Sequence, residues 1–568
     1  MAYLTLYAWP SDSGLAVFSI CANRTQGNAE KRYLYVIWSK YFILCGCKSN
    51  FVAVFTIKSD EMYKKLILTA ALSAASISAF AGGYVTNTNQ NVAFLRNPAQ
   101  NAVIGVQSAY FNPAGVAFME NGWHLAFDVQ TAVQRRYTTS TYEPLKYGID
   151  NGGKGYKKYT GKTFVPVLPH LDLVYKHNNW FGSFHFGVVS GGGKSRYDQG
   201  LGSFEAPVAM IPALINNLVG TTMITGYDAD IALTGEQYNF AGQLNLGYKI
   251  SKNWSVSAGV RVNYLSNYYN GSLKNIQLQY GGQMLPASAV LGAAVSQLSG
   301  GAISAEQAAA MTGGLVSDKE LDAHQSDVAY TPVISVDYKT GKFNFSARYE
   351  FNTKVRLKNN TSANTTGISQ FDDDKKVAAD IPGNLNLGAQ YSIKPNFRIA
   401  LGFNYYFDKQ SKQYNNETGL NDKQNYLKHN SFEILGGLEY DVCKLVTLSI
   451  GANSSTFGFG NDARFISDMS YSTSSVSGGL GAQFHVTKKI NIDLGVYKTF
   501  FLHFTKEQAD YGGNGALVAA KLAPVLAPLA ERIPGLAEKL DIKNLQIPGQ
   551  DDFYRTSIVA GVGVSIAF

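Results

Sequence analysis

From Trp123 to the C-terminus the chain alternates apolar and polar residues with a period of two. In the stretch from Trp254 to Tyr264 the even positions carry Trp254, Val256, Ala258, Val260, Val262 and Tyr264, and the odd ones Ser255, Ser257, Gly259, Arg261 and Asn263. Residues 343–352 repeat the pattern, with Phe343, Phe345, Ala347, Tyr349 and Phe351 opposite Asn344, Ser346, Arg348, Glu350 and Asn352. In residues 397–408, Phe397, Ile399, Leu401, Phe403, Tyr405 and Phe407 face away from Arg398, Asn404 and Asp408. Strict alternation predicts strands with one apolar and one polar face.

A soluble sandwich also alternates, so three further features decide the class. Aromatics gather at strand ends (Trp254, Tyr264, Tyr338, Tyr405, Phe407), as in the interfacial girdles of a membrane barrel. The alternating segments are about 10–15 residues, long for a globular strand but suited to a tilted membrane crossing. Connections alternate short and long. Fourteen strands are predicted at 123–137, 163–177, 181–190, 235–250, 254–268, 327–339, 342–355, 379–393, 397–409, 431–441, 445–457, 472–487, 490–503 and 554–568. Short links at 178–180, 251–253, 340–341, 394–396, 442–444 and 488–489 each join an even strand to the next odd one, the layout of short periplasmic turns and long outer loops. The expectation is an all-β chain, a 14-stranded antiparallel transmembrane β-barrel at 123–568, located in the bacterial outer membrane.

Composition excludes other classes. A net charge of +8 over 568 residues gives no basis for a nucleic-acid surface. The 56 glycines follow no three-residue period, and 45% hydrophobic residues rule out gross disorder. No apolar run in the body reaches the ~18–20 residues of a spanning helix.

Residues 62–81, MYKKLILTAALSAASISAFA, carry Lys64 and Lys65, then an apolar run from Leu66, then Ala79-Phe80-Ala81 as a small-x-small cleavage site. This is the pattern of a secretory signal peptide. It begins at its own methionine, Met62, so residues 1–61 are read as an overcalled start, against the alternative of a cytoplasmic extension. Cys21, Cys45 and Cys47 lie upstream of it, which leaves Cys443 alone in the mature chain, with no disulfide and no Cys-x-x-Cys site.

Residues 557–568 place Ile558, Ala560, Val562, Val564, Ile566 and Phe568 on one apolar face opposite mostly small residues. An alternating last strand ending on the aromatic Phe568 resembles the recognition signal of the outer-membrane assembly machinery. Between signal peptide and first strand, residues 82–122 show no alternation and contain Asn97-Pro98-Ala99 and, fifteen residues on, Asn112-Pro113-Ala114-Gly115. Such turn-rich polar sequence fits a plug folded in the lumen.

With Phe111-Asn112-Pro113-Ala114-Gly115 placed just before the first strand, the mature chain resembles the FadL-type family of outer-membrane long-chain fatty acid transporters. The resemblance implies a fourteen-stranded barrel closed by an N-terminal hatch, with a hydrophobic ligand caught on apolar outer loops, held inside, and released sideways through a lateral gap at a kinked third strand. Asn112, Pro113 and Ala114 match the family's hatch triplet; Asn97–Ala99 is read as structural. For the gap, Gly191, Gly192 and Gly193 follow the third strand and fit either a kink or the start of a loop. Residues 206–223, 284–316 and 515–540 are unexpectedly apolar for outer loops, fitting either a capture surface or helices that cap the barrel; which of them forms a groove is open. By parity Arg261, Arg348 and Arg398 point inward, where they suit a carboxylate head group or lumen carboxylates such as Glu350, Glu433 and Glu439.

No catalytic, metal-binding or cofactor motif stands out; His170, His185 and His485 lie in no nucleophile–base pattern. The reading is a monomeric passive importer of hydrophobic molecules, foremost long-chain fatty acids, whose other partners are outer-membrane lipids and the assembly machinery. The alternatives are an aromatic hydrocarbon channel, a general porin and an outer-membrane lipid hydrolase. The mature protein is expected to begin at Gly82. N-terminal sequencing of protein from outer membranes checks this, and any residue upstream of Met62 in the mature chain would overturn the start-site reading.

Overall fold

The computed structural model describes residues 88–414, 419–459, 466–468, 471–519, 536–539 and 541–568, together with five strands upstream. The chain divides into two compact units, 1–71 and 72–568. In the first, Leu4–Trp9, Ala16–Ala22, Arg32–Trp38, Tyr41–Gly46 and Val52–Thr56 form an antiparallel meander in chain order. The expected signal peptide at 62–81 and the first hatch residues, 82–87, lie outside the described residues.

The second unit is a closed antiparallel barrel of fourteen strands, each at the place the alternation predicts. They are β1 (Gly122–Tyr142), β2 (Tyr156–His177), β3 (Trp180–Tyr197), β4 (Ile224–Lys249), β5 (Trp254–Tyr280), β6 (Lys319–Thr340) and β7 (Phe343–Glu350, resuming as Arg356–Asn364). There follow β8 (Lys376–Ala378 and Asn384–Lys394), β9 (Phe397–Tyr406), β10 (Ser431–Cys443), β11 (Val446–Thr456), β12 (Ser475–His485), β13 (Ile490–Phe501, continuing as Phe504–Gln508) and β14 (Gly549–Ala567). β14 pairs with β1 from Ala567↔His124 to Gly549↔Tyr142 and closes the cylinder. The backbone amide of Phe568 donates to Trp123 O at 2.9 Å, so the last residue sits on the seam.

Alternation becomes two faces. Leu401, Ile434, Ile450 and Leu480 are exposed on the outer wall, whereas Gln243, Asn263, Asn404 and Asn453 are buried inside. At the short-turn end, cross-strand aromatic pairs run around the barrel: Trp123–Tyr175, Trp180–Tyr248, Trp254–Tyr338 and Phe343–Tyr391, with centroids 4.6, 4.7, 4.5 and 4.4 Å apart. Amphipathic rings in a belt are the interfacial girdle of such barrels.

Two expectations need correction. β4 and β5 are 26 and 27 residues long, beyond any membrane crossing. Their outer ends bury Ile224, Tyr227, Leu273, Ile276 and Leu278 under the loop helices, and that apolar area is what extends the ladder. β7 stops at Glu350 instead of running to Val355, because the chain bends at a lone Thr353↔Ile381 bridge and packs Val355 inward.

Leu480 is 61% exposed in the middle of β12. Leu480→Arg is expected to cost about 2–4 kcal/mol in urea-titrated folding into lipid vesicles. A cost under ~0.5 kcal/mol would mean that this face does not meet hydrocarbon.

Candidate functional site

A short segment, from Asn89 to Asn121, fills the periplasmic half of the lumen, and each of its turns is tied to the wall. Helix α1 (Val92–Arg96) starts at Asn91, whose Oδ1 accepts from Ala93 N at 2.8 Å. The same side chain donates to Asp128 of β1 at 2.6 Å and Asp172 of β2 at 2.8 Å. Asp172 in turn holds His185 Nδ1 of β3 at 2.7 Å. At the other end of α1, Arg96 pairs with Asp493 of β13 at 2.8 Å and Glu439 of β10 at 2.9 Å. Burial works to lower the Arg96 pKa, but the two carboxylates outweigh it and raise it above the ordinary arginine value.

Helix α2 (Ser108–Phe111) carries Tyr110, whose ring meets two guanidiniums, with Arg261 Cζ 4.9 Å and Arg348 Cζ 4.8 Å from its centroid. Arg261 grips Glu350 through two bonds of 2.8 and 2.6 Å, Arg348 reaches the same carboxylate at 3.1 Å, and Arg348 also donates to Tyr110 O. Charge-assisted, bidentate contacts of this kind are strong and directional. Arg398 pairs with Asp441 at 2.7 Å and with Glu439 at 3.4 Å. All three arginines singled out for a ligand head group thus hold lumen carboxylates, and two of them clamp the hatch.

The Asn112 triplet follows in a 3-10 turn, Pro113–Phe118. Asn112 caps this turn by accepting from Gly115 N at 3.2 Å and donates to Asp337 of β6. Ala114 N donates to Ser335 Oγ at 2.9 Å, and its carbonyl accepts from Ser255 Oγ at 2.7 Å. The motif is therefore the bolt between hatch and the β5–β6 pair. The first copy caps locally: Asn97 Oδ1 accepts from Ala99 N at 3.1 Å. Here the hatch lies directly on glycines of the wall. A Cβ at Gly437 would overlap the Asn97 side chain, and one at Gly479 would overlap Leu95 O. Inward glycines on β10–β13 were the sequence signal for where the hatch docks, legible only once the face was known.

Above the hatch lies a cavity of about 320 Å³ lined by Phe94 of the hatch and by strands on the β1–β5 and β10–β14 sides. Gly191 and Gly193 line it too. There the β2–β3 ladder breaks. Thr163 pairs with Ser195 and Leu171 with Phe186, and the residues between them do not pair across β2–β3, although most of them keep partners on β1 and β4. Pro166 and Pro169 remove two ladder donors from β2, and on the β4 side β3 carries irregularities at Val188/Ser190 and Gly191/Gly193, with Gly191 at φ +72°. Gly192 lies inside β3 between them. The glycines are thus part of a strand, not the start of a loop. Along the unpaired stretch of β2, Val165 and Leu168 face the cavity, while Phe164 and Val167 are 63% and 57% exposed outside. His170, in the same stretch, is buried with neither ring nitrogen hydrogen-bonded. Two prolines inside an alternating segment were a readable sign of a broken ladder that the sequence reading passed over.

The outer loops form a roof. Helices α3 (Gly202–Val219), α4 (Ala287–Leu298) and α5 (Ala305–Val316) bury their apolar side chains against one another and the extended strands. In α3, Glu205 accepts from Lys157 at 3.0 Å, Tyr159 at 2.8 Å and Tyr227 at 2.9 Å, and Asp468 caps its first turn at Ser203 N, 2.8 Å. Of the two readings of these loops, packing on one another describes α3–α5. Residues 520–535 of the last apolar loop lie outside the described residues. Next to them, burial holds the Asp510 carboxyl above its ordinary pKa, although the amides of Gly515 and Ala516 donate to it.

His485 bonds Thr447 at 3.0 Å and Asn491 at 2.7 Å. Among the described residues no cluster of His, Cys, Asp and Glu is placed to hold a metal ion.

No family model and no curated protein matches the sequence. Solved structures do match the architecture. A FadL homologue of Pseudomonas aeruginosa aligns over 86% of this chain and 100% of its own, with a TM-score of 0.54 and 13% identity. The deltaS2S3 mutant of TodX, a monoaromatic hydrocarbon channel, aligns over 84% of this chain and 99% of its own, with a TM-score of 0.50 and 13% identity. At such identities the likeness speaks for the fold, and it agrees with strand count, closure and layout: this chain has the FadL-type fold of a fourteen-stranded outer-membrane barrel.

Proposed function

We propose that the protein is a passive importer of hydrophobic molecules, foremost long-chain fatty acids, which are held in the cavity above the hatch and leave sideways between β2 and β3. The observation that carries this reading is the broken ladder: one unpaired stretch of β2 puts Val165 and Leu168 on the cavity and Phe164 and Val167 on the outer wall. Each CH₂ of an acyl chain loses about 0.8 kcal/mol of favourable transfer energy on entering water. A path that ends in the bilayer spares a long chain that penalty, whereas one that ends in the periplasm does not. The hatch, pinned through Asn91, Arg96, Tyr110 and Asn112, occupies the straight route.

An aromatic hydrocarbon channel is the second reading, because a monoaromatic hydrocarbon channel shares the fold. A porin needs an open aqueous path through the hatch. The glycines serve the break by leaving room: a Cβ at Gly193 would come within 2.6 Å of Thr163 Cγ2 and 3.1 Å of Val165 Cγ2.

Gly193→Val is therefore expected to lower uptake of labelled fatty acid several-fold in cells whose barrels still show heat-modifiable migration; undiminished uptake would remove the break from the path. Glu350→Ala leaves Arg261 and Arg348 buried without their carboxylate, at a cost of about 3–5 kcal/mol. In planar bilayers this variant is expected to conduct ions where the parent does not, with faster hydrogen exchange in residues 88–121. An equally conducting parent would favour the porin.

A further inference from the structure

Arg555 differs from the other lumen arginines. It stands in β14 directly across the seam from Arg136 of β1, and both line the cavity above the hatch. Its Nη1 makes one long bond, 3.4 Å to Tyr471 O, its Nε is buried without a partner, and its Cζ lies 4.2 Å from the centroid of the Phe501 ring. Arg96, Arg261, Arg348 and Arg398 each hold at least one carboxylate, and among the described residues Arg555 holds none. Glu433 also lines the cavity, but its oxygens already accept from Asn404, Tyr406 and Ser455 at 2.9, 2.8 and 2.8 Å. Like charges directly opposite on neighbouring strands are unfavourable, and Arg555 faces Arg136 across the seam with its own Nε–H unbonded and no carboxylate among the described residues to pair with it.

We propose that Arg555 is the receptor for the head group of the cargo, and that the cavity selects amphiphiles bearing one carboxylate over neutral hydrocarbons. The proposal deepens the transport reading and rests on it for the ligand's route. A carboxylate at Arg555 satisfies the orphaned Nε–H and gains a charge-assisted bond. The tail then lies along Phe94, Val165, Leu168 and Leu233, toward the β2–β3 break. The cavity volume is at the lower end of the ~300–1,000 Å³ typical of ligand pockets. Selectivity follows from the same geometry. A neutral analogue leaves the guanidinium without its partner, and a site built to bond a polar group rejects ligands that lack it more strongly than it rejects a change of length.

The test is binding of hexadecanoate and hexadecan-1-ol, two ligands with the same tail, to the full mature barrel purified in mild detergent, for the parent, Arg555→Gln and Arg555→Lys. The parent is expected to prefer hexadecanoate. Arg555→Gln is expected to weaken hexadecanoate about tenfold or more and leave hexadecanol unchanged. Arg555→Lys, which keeps the charge, is expected to recover part of the loss. Equal hexadecanoate binding by the parent and Arg555→Gln overturns the proposal. So does a parallel loss of both ligands in Arg555→Gln, which would make Arg555 a packing residue. Inorganic phosphate displacing hexadecanoate at millimolar concentration would make the site a general anion site and would likewise overturn the selectivity. Uptake assays on the same variants separate the two ideas: a parent that binds hexadecanoate through Arg555 yet does not import it would overturn transport and leave the receptor standing.

Discussion

A sheet closed on itself in a bilayer leaves no edge to pair, and its second face must look into a lumen. That closure, made along the β14–β1 seam, governs the rest of the molecule. With hydrocarbon on the outside, the alternation that places Leu401 and Leu480 there puts Asp128, Asp172, Arg261, Asp337 and Glu350 inside. Buried groups of this kind are costly unless bonded. The hatch bonds them: Asn91 bridges Asp128 and Asp172, Asn112 meets Asp337, and the Tyr110 carbonyl and ring meet Arg348 and Arg261. It is as much the missing half of the lumen's hydrogen bonding as it is an obstruction.

Against such a complete ladder, the β2–β3 break is the place where local rules are set aside. Proline is ordinarily confined to edges and bulges, and here Pro166 sits at the β1–β2 register shift opposite Thr131 while Pro169 lies where β2 has no β3 partner, so mid-barrel β2 takes on the character of an edge. The facing strand answers with Gly187, Gly191 and Gly193, so neither side offers a regular row of partners. Sequences that specify one fold agree across levels, and departures concentrate where function requires them. An unpaired stretch in hydrocarbon is tolerable because β1 and β4 flank it and the hatch packs behind it, with Gln90 Nε2 donating to Val188 O at 3.0 Å.

The barrel was legible because period-two alternation is a property of single strands and needs no tertiary knowledge; each of the fourteen predicted segments holds a strand. By parity Arg261 and Arg348 face inward, and both are buried there, while half-buried Arg398 reaches the buried Glu439. What parity does not carry is pairing. Whether Arg348 meets a ligand or Glu350 depends on a side chain two residues away on the same face, and on Tyr110, which comes from a segment 238 residues distant. Arg555 was hidden for the opposite reason. It sits at the outer end of the last strand, where the apolar run to Phe568 dominated the reading. The lengths of β4 and β5 were missed because above the membrane their buried side chains answer to the roof, not to lipid.

Roof and floor of the cavity hold by different forces, and that difference bears on direction. The floor is a network of ion pairs and hydrogen bonds through Arg96, Arg261, Glu350 and Asn112, specific in geometry. The roof is mainly apolar packing among α3, α4 and α5, with small residues such as Ala206, Ala209, Ala287 and Ala294 at the contacts and Glu205 as a polar clamp. Apolar contact is non-directional and scales with area. A hydrophobic solute offers roof side chains the same kind of surface they offer one another, so it competes with those contacts directly. It offers the charged floor nothing in exchange for a broken ion pair. On the proposed uptake path such a solute would meet apolar contacts it can replace above, a charged floor it cannot replace below, and a wall whose ladder is already open at β2–β3.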